Sequence, residues 1–386
     1  MAVKLEAEWL TSEASVAVTS MLTDGGYQVF FVGGCVRNTL MGRPVADLDL
    51  STNATPEIVM ALAETAGLKA IPTGIEHGTV TVVSNHHPYE ITTFRRDVET
   101  DGRHATVAFS DRIEDDAIRR DFTMNALYAA PDGTLHDPVG GLADLNARRV
   151  RFIDDPEQRI QEDYLRILRF FRFHASYGDP KGGIDPDGLA ACAAHADGLD
   201  QLARERVGPE ILKTLGVNDP APAVASMAAS GVLARVLPGA DPAPVAPLVH
   251  LEGELGRTPH SLSRLAAIFT GDGAECLRLS KKDTTEYERL RDSARSDMGG
   301  GELSYRYGEH SAVQCLMIRA ALTGQSIDLT ELAKTKGAWA YELPVTANDL
   351  MPALSGKALG DRLKQLEALW IASDFTLTKN ELLALP

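Results

Sequence analysis

Two aspartates separated by a single leucine, Asp47 and Asp49, lie in the segment ADLDLST. The segment is typical of a strand, in which residues two positions apart project from the same face. Two adjacent carboxylates repel each other unless a cation neutralises them, and carboxylate oxygens suit Mg²⁺. The pair predicts a divalent metal site. The alternative is a solvated D-x-D at the edge of a sheet.

A glycine pair, Gly33-Gly34, precedes the aspartates in FVGGCVRNTLMG. The segment reads as the end of a strand, a glycine turn and a short helix. Glycines there leave room for a phosphate to approach the backbone N–H groups at the helix start. Arg37, one turn into that helix, could pair with phosphate oxygens. An ordinary glycine turn is the alternative, but the turn and the aspartates together favour a phosphate beside a metal.

Glu90 is a candidate third carboxylate, because YEIT reads as a neighbouring strand. Two-metal phosphoryl and nucleotidyl transfer commonly uses such carboxylates. A surface glutamate on an edge strand is the alternative.

The segment RRDFTMNAL contains Arg120 and Asp121 just before an apolar helix. Arg120 could hold a triphosphate, and Asp121 could accept a hydrogen bond from a ribose hydroxyl. The alternative is that Asp121 or Thr123 caps a helix.

The segment EDYLRILRFFRF predicts a largely buried helix with Asp163 and Arg166 on one face. These two residues could pair with each other, or they could read a base edge together. An aspartate accepts hydrogen bonds and an arginine donates them, so the pair could select cytosine and adenine against uracil and guanine. Arg169 could extend this site, and Arg172 lies further round the helix.

The segment HDPVGGLADL reads as a connector into a helix capped by Asp144 or Asn146. The pair His136-Asp137 could indicate a metal phosphohydrolase, but no further His/Asp cluster at helical spacing supports that class of enzyme.

Strand and helix patterns alternate between residues 26 and 94, with a hairpin around NHHP. The polar stretch 95–116 predicts a mobile loop, and YAAPDGTLHDPVGG predicts a short strand pair. Helical patterns fill the chain after about residue 145. We therefore predict a small α/β head followed by a long helical part, which is an α+β fold.

The composition of the 386-residue chain is that of an ordinary folded protein, with 44% hydrophobic residues. No apolar run is long enough to span a membrane, and the N-terminus is unlike a signal peptide. Four scattered cysteines predict reduced thiols and a cytoplasmic location. The net charge of −16 argues against a surface that binds nucleic acid everywhere, but it leaves room for a local basic groove.

Taken in order, these segments resemble the class II tRNA nucleotidyltransferases, or CCA-adding enzymes, and the related bacterial poly(A) polymerases. Each motif is weak alone, and the ordered set is specific. The matching positions are Gly33-Gly34-x-Val36-Arg37, Asp47-x-Asp49, Arg119-Arg120-Asp121-Phe122-Thr123, Asp137-Pro138-x-Gly140-Gly141 and Glu162-Asp163-x-x-Arg166-x-x-Arg169. One position departs from the family pattern, because Asn38 stands where the family usually has aspartate.

The resemblance implies a polymerase β-like nucleotidyltransferase head at residues 1–145, followed by an all-α neck (146–216), body (217–310) and tail (311–386). It implies template-independent addition of C, C and A to the tRNA acceptor end from CTP and ATP, with two Mg²⁺ ions. Asp47 and Asp49 would be metal ligands, and Gly34, Arg37 and Arg120 would bind triphosphate. Asp163 and Arg166 would recognise the base, supported by Arg169 and Arg172.

Four alternatives remain open. Poly(A) polymerase is the nearest, although the chain lacks the long basic extensions of that subgroup. An enzyme that adds only CC or only A is a second. A non-catalytic RNA-binding relative and a metal phosphohydrolase are disfavoured by the intact Asp47, Asp49, Arg120 and Asp163 and by the missing His/Asp cluster, respectively. The motifs make no prediction of the oligomeric state.

Overall fold

The computed structural model describes residues 4–100 and 105–385. The chain divides into two compact units. Unit 1 comprises Met1–Glu210 and Ser226–Val236, and unit 2 comprises Ile211–Ala225 and Leu237–Pro386. The finer division into head, neck, body and tail stays a prediction.

All strands of the described residues lie in unit 1. They are β1 (Val29–Val32), β2 (Leu48–Thr52), β3 (Lys69–Gly74), β4 (Thr79–Ser84), β5 (His87–Thr93), β6 (Arg95–Thr100), β7 (Ala105–Phe109), β8 (Tyr128–Ala129) and β9 (Leu135–His136).

The α-helices of the described residues are α1 (Glu8–Thr11), α2 (Glu13–Asp24), α3 (Gly34–Leu40), α4 (Pro56–Thr65), α5 (Ile113–Ile118), α6 (Gly141–Asn146), α7 (Pro156–Glu162), α8 (Leu165–Tyr177), α9 (Pro186–Ala194), α10 (Arg204–Leu215), α11 (Ala221–Ala229), α12 (Val232–Val236), α13 (Val245–Glu254), α14 (Ser261–Ile268), α15 (Gly273–Leu277), α16 (Lys281–Ala294), α17 (Gly300–Tyr307), α18 (Glu309–Thr323), α19 (Leu329–Lys334), α20 (Ala347–Leu350), α21 (Gly356–Ala372) and α22 (Lys379–Ala384). Short 3₁₀ helices cover Ile75–His77, Thr123–Asn125, Ala196–Gln201 and Ala338–Ala340.

Seven strands form one mixed sheet in the order β3-β4-β5-β2-β1-β8-β9. β2 and β5 are parallel, whereas the other neighbours are antiparallel. The parallel register places Asp49 directly beside Glu90. Sheet pairing thus brings together two acids that are far apart in sequence.

Helices α2 and α4 pack against this sheet and against each other. α2 begins where the Ser12 side chain accepts a hydrogen bond from the Ser15 N–H, and it ends before Gly25. Pro56 occupies the first turn of α4, where its missing N–H costs nothing, and Thr55 is the residue before the helix. Val18 and Val59 are buried on the packed faces of these helices. The glycine turn and the aspartates therefore rest on a packed core.

Helix α8 is buried through an aromatic cluster, as its sequence pattern predicts. Phe170 stacks on Phe152 with ring centroids 5.3 Å apart, and Phe173 lies 5.0 Å from Phe122. Phe122 directly follows Arg120 and Asp121. The cluster therefore attaches α8 to the segment that carries two of the predicted site residues.

The local structure differs from the sequence predictions, or adds to them, in several places. The described part of stretch 95–116 contains the antiparallel pair β6–β7 and helix α5, because backbone pairing in a two-stranded ribbon does not require an apolar pattern. β3 was missed because Pro72 interrupts its pattern, which an edge strand tolerates. The N–H groups at the start of α6 donate to the Asp137 carboxylate, not to Asp144 or Asn146.

After β9 the described chain is helical apart from turns and an isolated bridge at Phe152, so the predicted α+β fold class is confirmed. Among the described helices, none combines the length and the apolar character that a membrane crossing needs.

Unit 2 contains a fully buried ion pair between Arg264 on α14 and Glu252 on α13. Arg264 Nη2 lies 2.5 Å from Glu252 Oε2, and the guanidinium also donates to the carbonyls of Leu215, Val217 and Asn218. A buried charge is tolerated only with such partners. The pair therefore joins two helices to the segment that follows α10.

We expect Arg264→Met to lower the free energy of unfolding by about 3–5 kcal/mol, because it leaves the Glu252 carboxylate buried without a partner. The matched control is Arg235→Met, because Arg235 pairs with Asp200 where both side chains are about half exposed. This control should cost only about 0–1 kcal/mol. Urea denaturation of both variants measures the difference, and equal losses would contradict the proposed importance of the buried pair.

Candidate active site

Three carboxylates gather at one place on the sheet. Asp49 lies on β2 and Glu90 lies opposite it on β5, so both project from the same face. Burial, followed by the negative charges of Glu90 and Asp47, raises the pKa of Asp49 to about 6, although Arg120 opposes the shift. Asp47 is exposed and precedes β2, so the prediction that it lies within a buried strand is wrong.

The three carboxylates are suited to a cation, but they do not form a complete metal site by themselves. Within the described residues, no three His, Cys, Asp or Glu side chains are placed to hold a metal together. Burial and the repulsion from Glu90 and Asp47, which together raise the pKa of Asp49, are a reason for a divalent cation to bind there. Further ligands would have to come from substrate or water, as is usual for Mg²⁺.

The glycine turn lies between two guanidinium groups. Gly33 adopts φ of +71°, a left-handed conformation that favours glycine, and Gly34 starts α3. A methyl group built on Gly33 would lie 3.6 Å from Nη1 of Arg120, and one on Gly34 would lie 3.9 Å from Nη2 of Arg37. The structure therefore brings Gly33, Gly34, Arg37 and Arg120 together, as the sequence predicts.

Arg120 is held rigidly behind the turn. Its Nε and Nη2 donate to Asp116 Oδ2 at 3.2 and 3.0 Å, and Nη2 also donates to the Ser51 hydroxyl on β2. Burial opposes the charge, but Tyr128 and Asp116 outweigh it and raise the pKa of Arg120. Its side chain is 23% exposed, so the cation is fixed in position while part of it faces solvent.

Arg37 is buried, with 6% of its surface exposed. It donates to Asn125 Oδ1 at 2.5 Å and to the Tyr177 hydroxyl at 2.7 Å, and its guanidinium lies 4.0 Å from the Tyr177 ring centroid. Tyr177 ends α8. Arg37 therefore attaches the glycine-turn helix α3 to α8.

Asp121 is also buried, and protein groups occupy both of its oxygens. Oδ1 accepts from the Phe122 N–H and from Asn125 Nδ2, and Oδ2 accepts from Arg169 Nε and Nη2 at 2.8 and 2.5 Å. Burial alone would raise the pKa of Asp121, but Arg169 and Asn125 reverse the effect and lower it. Asp121 thus positions Arg169 here, and its contact with a ribose hydroxyl stays a prediction.

The prediction that Asp163 and Arg166 share one helix face is wrong. Asp163 is extended, with φ of −156°, in the break between α7 and α8. Its Oδ1 accepts from the Leu165 N–H, which caps the start of α8, and its Oδ2 accepts from Arg206 at 2.7 Å. The helical pattern continues across residue 163, so the sequence does not reveal the break.

Arg166 has other partners than Asp163. Its Nη1 donates to Glu162 Oε2 at 2.6 Å and to the Arg159 carbonyl, and its Nη2 donates to the Arg119 carbonyl. Only 14% of its side chain is exposed. Arg172, further along α8, pairs with Glu210 at 2.5 Å and lies over the Phe173 ring.

Sequence reasoning missed the residues that hold the arginines. Glu162 had a usable signal, because it lies four residues before Arg166. Asn125 lies four residues after Asp121 within the RRDFTMNAL motif. Asp116 has the same spacing, four residues before Arg120, whereas Tyr128 and Tyr177 carry no pattern that points to this site.

Comparison with known proteins identifies the family. Residues 29–151 match the Poly A polymerase head domain, and residues 183–243 match a domain described as a probable RNA and SrmB-binding site of polymerase A. The human mitochondrial CCA tRNA nucleotidyltransferase 1 is 32% identical over 98% of this chain and 91% of its own length. The CCA-adding enzyme of Levilactobacillus brevis is 38% identical over 59% of this chain and 57% of its own.

A solved structure has the same fold. The Bacillus stearothermophilus CCA-adding enzyme in complex with CTP aligns with a TM-score of 0.71 and 28% identity, covering 94% of this chain and 93% of that one. The resemblance noted from the motifs is thereby confirmed. Given 32% identity along nearly the whole of both chains, the protein belongs to the family of CCA tRNA nucleotidyltransferases.

Proposed function

We propose that this chain adds C, C and A to the 3′ end of tRNA, using CTP and ATP and releasing diphosphate. The observation that carries the proposal is the placement of Asp49, the glycine pair and Arg120 in one site. Phosphates, a divalent cation and a fixed guanidinium have complementary charges in such a site. Relatives with the same fold are named for this reaction or were solved with CTP.

Asp47 and Asp49 would hold Mg²⁺, and Glu90 is the adjacent third carboxylate. Bound there, the ions would neutralise the triphosphate and lower the pKa of the attacking 3′ hydroxyl. The protein's own contribution is to keep Asp49 and Glu90 side by side on one face of the sheet. β2 and β5 are both central strands of that sheet.

The glycine turn would receive the triphosphate, with Arg120 and Arg37 on either side. Arg120 is already fixed by Asp116 and Tyr128, so its charge can face a phosphate without reorganisation. The glycines lack side chains, which leaves this space open for a ligand. The turn thus orients the α-phosphorus for attack and leaves diphosphate as the departing group.

Asp163 and Arg166 would select the base. Arg166 is oriented by Glu162 and by the backbone carbonyls of Arg159 and Arg119, so its guanidinium has a defined direction. Asp163 is bound to Arg206 with both side chains substantially exposed, and such a pair is weak enough to exchange for a base amino group. Cytosine and adenine both offer an amino donor beside an acceptor nitrogen, whereas uracil and guanine offer the reverse. Arg169 and Arg172 would support this helix face.

A cytoplasmic location stays a prediction, and so does the complete CCA product as opposed to CC or A alone. Poly(A) synthesis is the second candidate, because the matched head domain carries that name. The candidates differ in their acceptor and in the length of their product.

We expect the protein to add two C residues and one A residue to a tRNA that ends before position 74, given CTP, ATP and Mg²⁺. Separate reactions with tRNAs that end before positions 75 and 76, and with single nucleotides, would be resolved by product length. A generic RNA of similar length is the control acceptor. Long A tails on that RNA would favour poly(A) synthesis. A product that stops after CC would indicate an enzyme that adds only CC.

Asp49→Asn should reduce kcat for CMP incorporation by about a thousandfold, because it removes one metal-binding charge worth several kcal/mol in the transition state. The fold should persist, since the exchange is isosteric. Glu64→Gln is the control, because Glu64 is an exposed acid on α4. Incorporation at the wild-type rate by Asp49→Asn would show that Asp49 is not needed to bind the metal.

Asp163→Ala should reduce discrimination between CTP and UTP, measured as the ratio of their kcat/KM values, by about tenfold or more, because it removes a hydrogen-bond acceptor. Arg206→Ala is the matched control, because it removes the present partner of Asp163 and keeps the carboxylate. The control should retain discrimination. An unchanged ratio in Asp163→Ala would show that this carboxylate does not read the base.

A further inference from the structure

Arg37 differs from the other arginines of the site in the charge of its partners. Arg120, Arg166, Arg169 and Arg172 each form an ion pair with a carboxylate. The four hydrogen bonds described for Arg37 all go to neutral oxygens, which belong to Asn38, Asn125 and Tyr177. A guanidinium stays protonated in proteins, so Arg37 is a buried cation, and within the described residues its side-chain hydrogen bonds reach no carboxylate.

The neutral partners are held so that their oxygens face Arg37. Asn38 accepts from Nε and Nη2 of Arg37 at 3.2 and 3.0 Å, while its own Nδ2 donates to the Pro44 carbonyl at 2.9 Å. Asn125 Nδ2 donates to Asp121 at 2.8 Å, which leaves its Oδ1 for Arg37. In both amides the N–H₂ group has its own acceptor, so the reversed orientation would place donors against donors.

Tyr177 completes the arrangement from α8. Its hydroxyl accepts from Arg37, and its ring lies 4.0 Å from the Arg37 guanidinium and 4.9 Å from that of Arg43. Arg43 also donates to the Ser176 carbonyl at 2.5 Å. The end of α8 therefore holds both Arg37 and the connection that leads from α3 toward Asp47.

Removing a cation from water costs free energy, and neutral partners offset this cost less than an ion pair would. Burial lowers the pKa of Arg37, and the nearby Arg172 acts in the same direction, while Tyr177 and Asp121 oppose it. Nη2 of this guanidinium lies 3.9 Å from the position of a methyl group built on Gly34. An anion in the glycine turn would lie close enough to compensate the charge.

We propose that Asn38, Asn125 and Tyr177 are positioning residues that keep Arg37 oriented without a directly bonded carboxylate, so that the incoming triphosphate supplies its contacting anion. This inference rests on the proposed function. It assigns a role to Asn38, where the family usually has aspartate: a carboxylate at this position would pair with Arg37 and compete with the nucleotide. The three residues act through Arg37 and do not contact the reacting atoms.

The test compares Asn38→Asp with Asn38→Ala in CMP incorporation and in equilibrium binding of CTP. Asn38→Asp adds a negative charge at hydrogen-bond distance from Arg37, and we expect KM and Kd for CTP to rise about tenfold. The value of kcat should change much less. Asn38→Ala removes the same contact without adding charge, and we expect both constants to rise by only about threefold, which is clearly less than in Asn38→Asp. Equal effects of the two variants, or an unchanged Kd in Asn38→Asp, would overturn the inference.

Tyr177→Phe tests the positioning separately, and it decides the matter if Asn38→Asp does not fold. It keeps the ring beside both guanidiniums and removes one acceptor of Arg37, so KM for CTP should rise about threefold or more with folding preserved. Tyr305→Phe in unit 2 is the control, because it removes a tyrosine hydroxyl that donates to Glu367. An unchanged KM in Tyr177→Phe would contradict the inference. Failure of the proposed function would be recognised differently, by the absence of CMP incorporation in the wild-type protein.

Discussion

Repulsion between carboxylates on neighbouring strands is the constraint on which the rest of the site depends. Parallel pairing of β2 with β5 places Asp49 against Glu90, and Asp47 adds a third negative charge. Asp47 and Glu90 are exposed, whereas Asp49 is partly buried, so positive charge beside Asp49 is favourable. Arg120 supplies part of it from within the protein, and divalent ions together with a triphosphate form the complementary set of ligands.

A second constraint is that helix α8 must keep its position relative to the glycine turn. Hydrogen bonds run from Arg169 through Asp121 and Asn125 to Arg37, and so connect α8 to α3. Tyr177 makes a second connection at the far end of α8. Because Arg37, Asp121 and Asn125 are buried, their hydrogen bonds are costly to break. The aromatic cluster around Phe122 and Phe170 adds packing to the same junction.

Local pattern was sufficient for much of the head. The glycine turn, the strands around Asp49 and Glu90, and the α4 start at Pro56 all follow from short-range rules of alternation and capping. The same rules failed at β3 and β6–β7, where an edge proline and a polar ribbon hide the strand pattern. They failed again at Asp163, because a break between two helices leaves the apolar period intact.

The sequence by itself determined the chemistry available to this protein: the paired aspartates, the glycine pair, the arginines and the family to which their order belongs. Only the tertiary structure decided which of the predicted site arginines form ion pairs and that Arg37 has neutral partners. Asp116 and Arg120 come together through one turn of chain, but Arg37 meets Tyr177 across 140 positions. Burial then gives each contact its energetic weight, because charge and hydrogen bonding matter most where water is excluded. No local pattern encodes a long-range contact such as that of Arg37 with Tyr177, because it arises from the packing of helices and sheet.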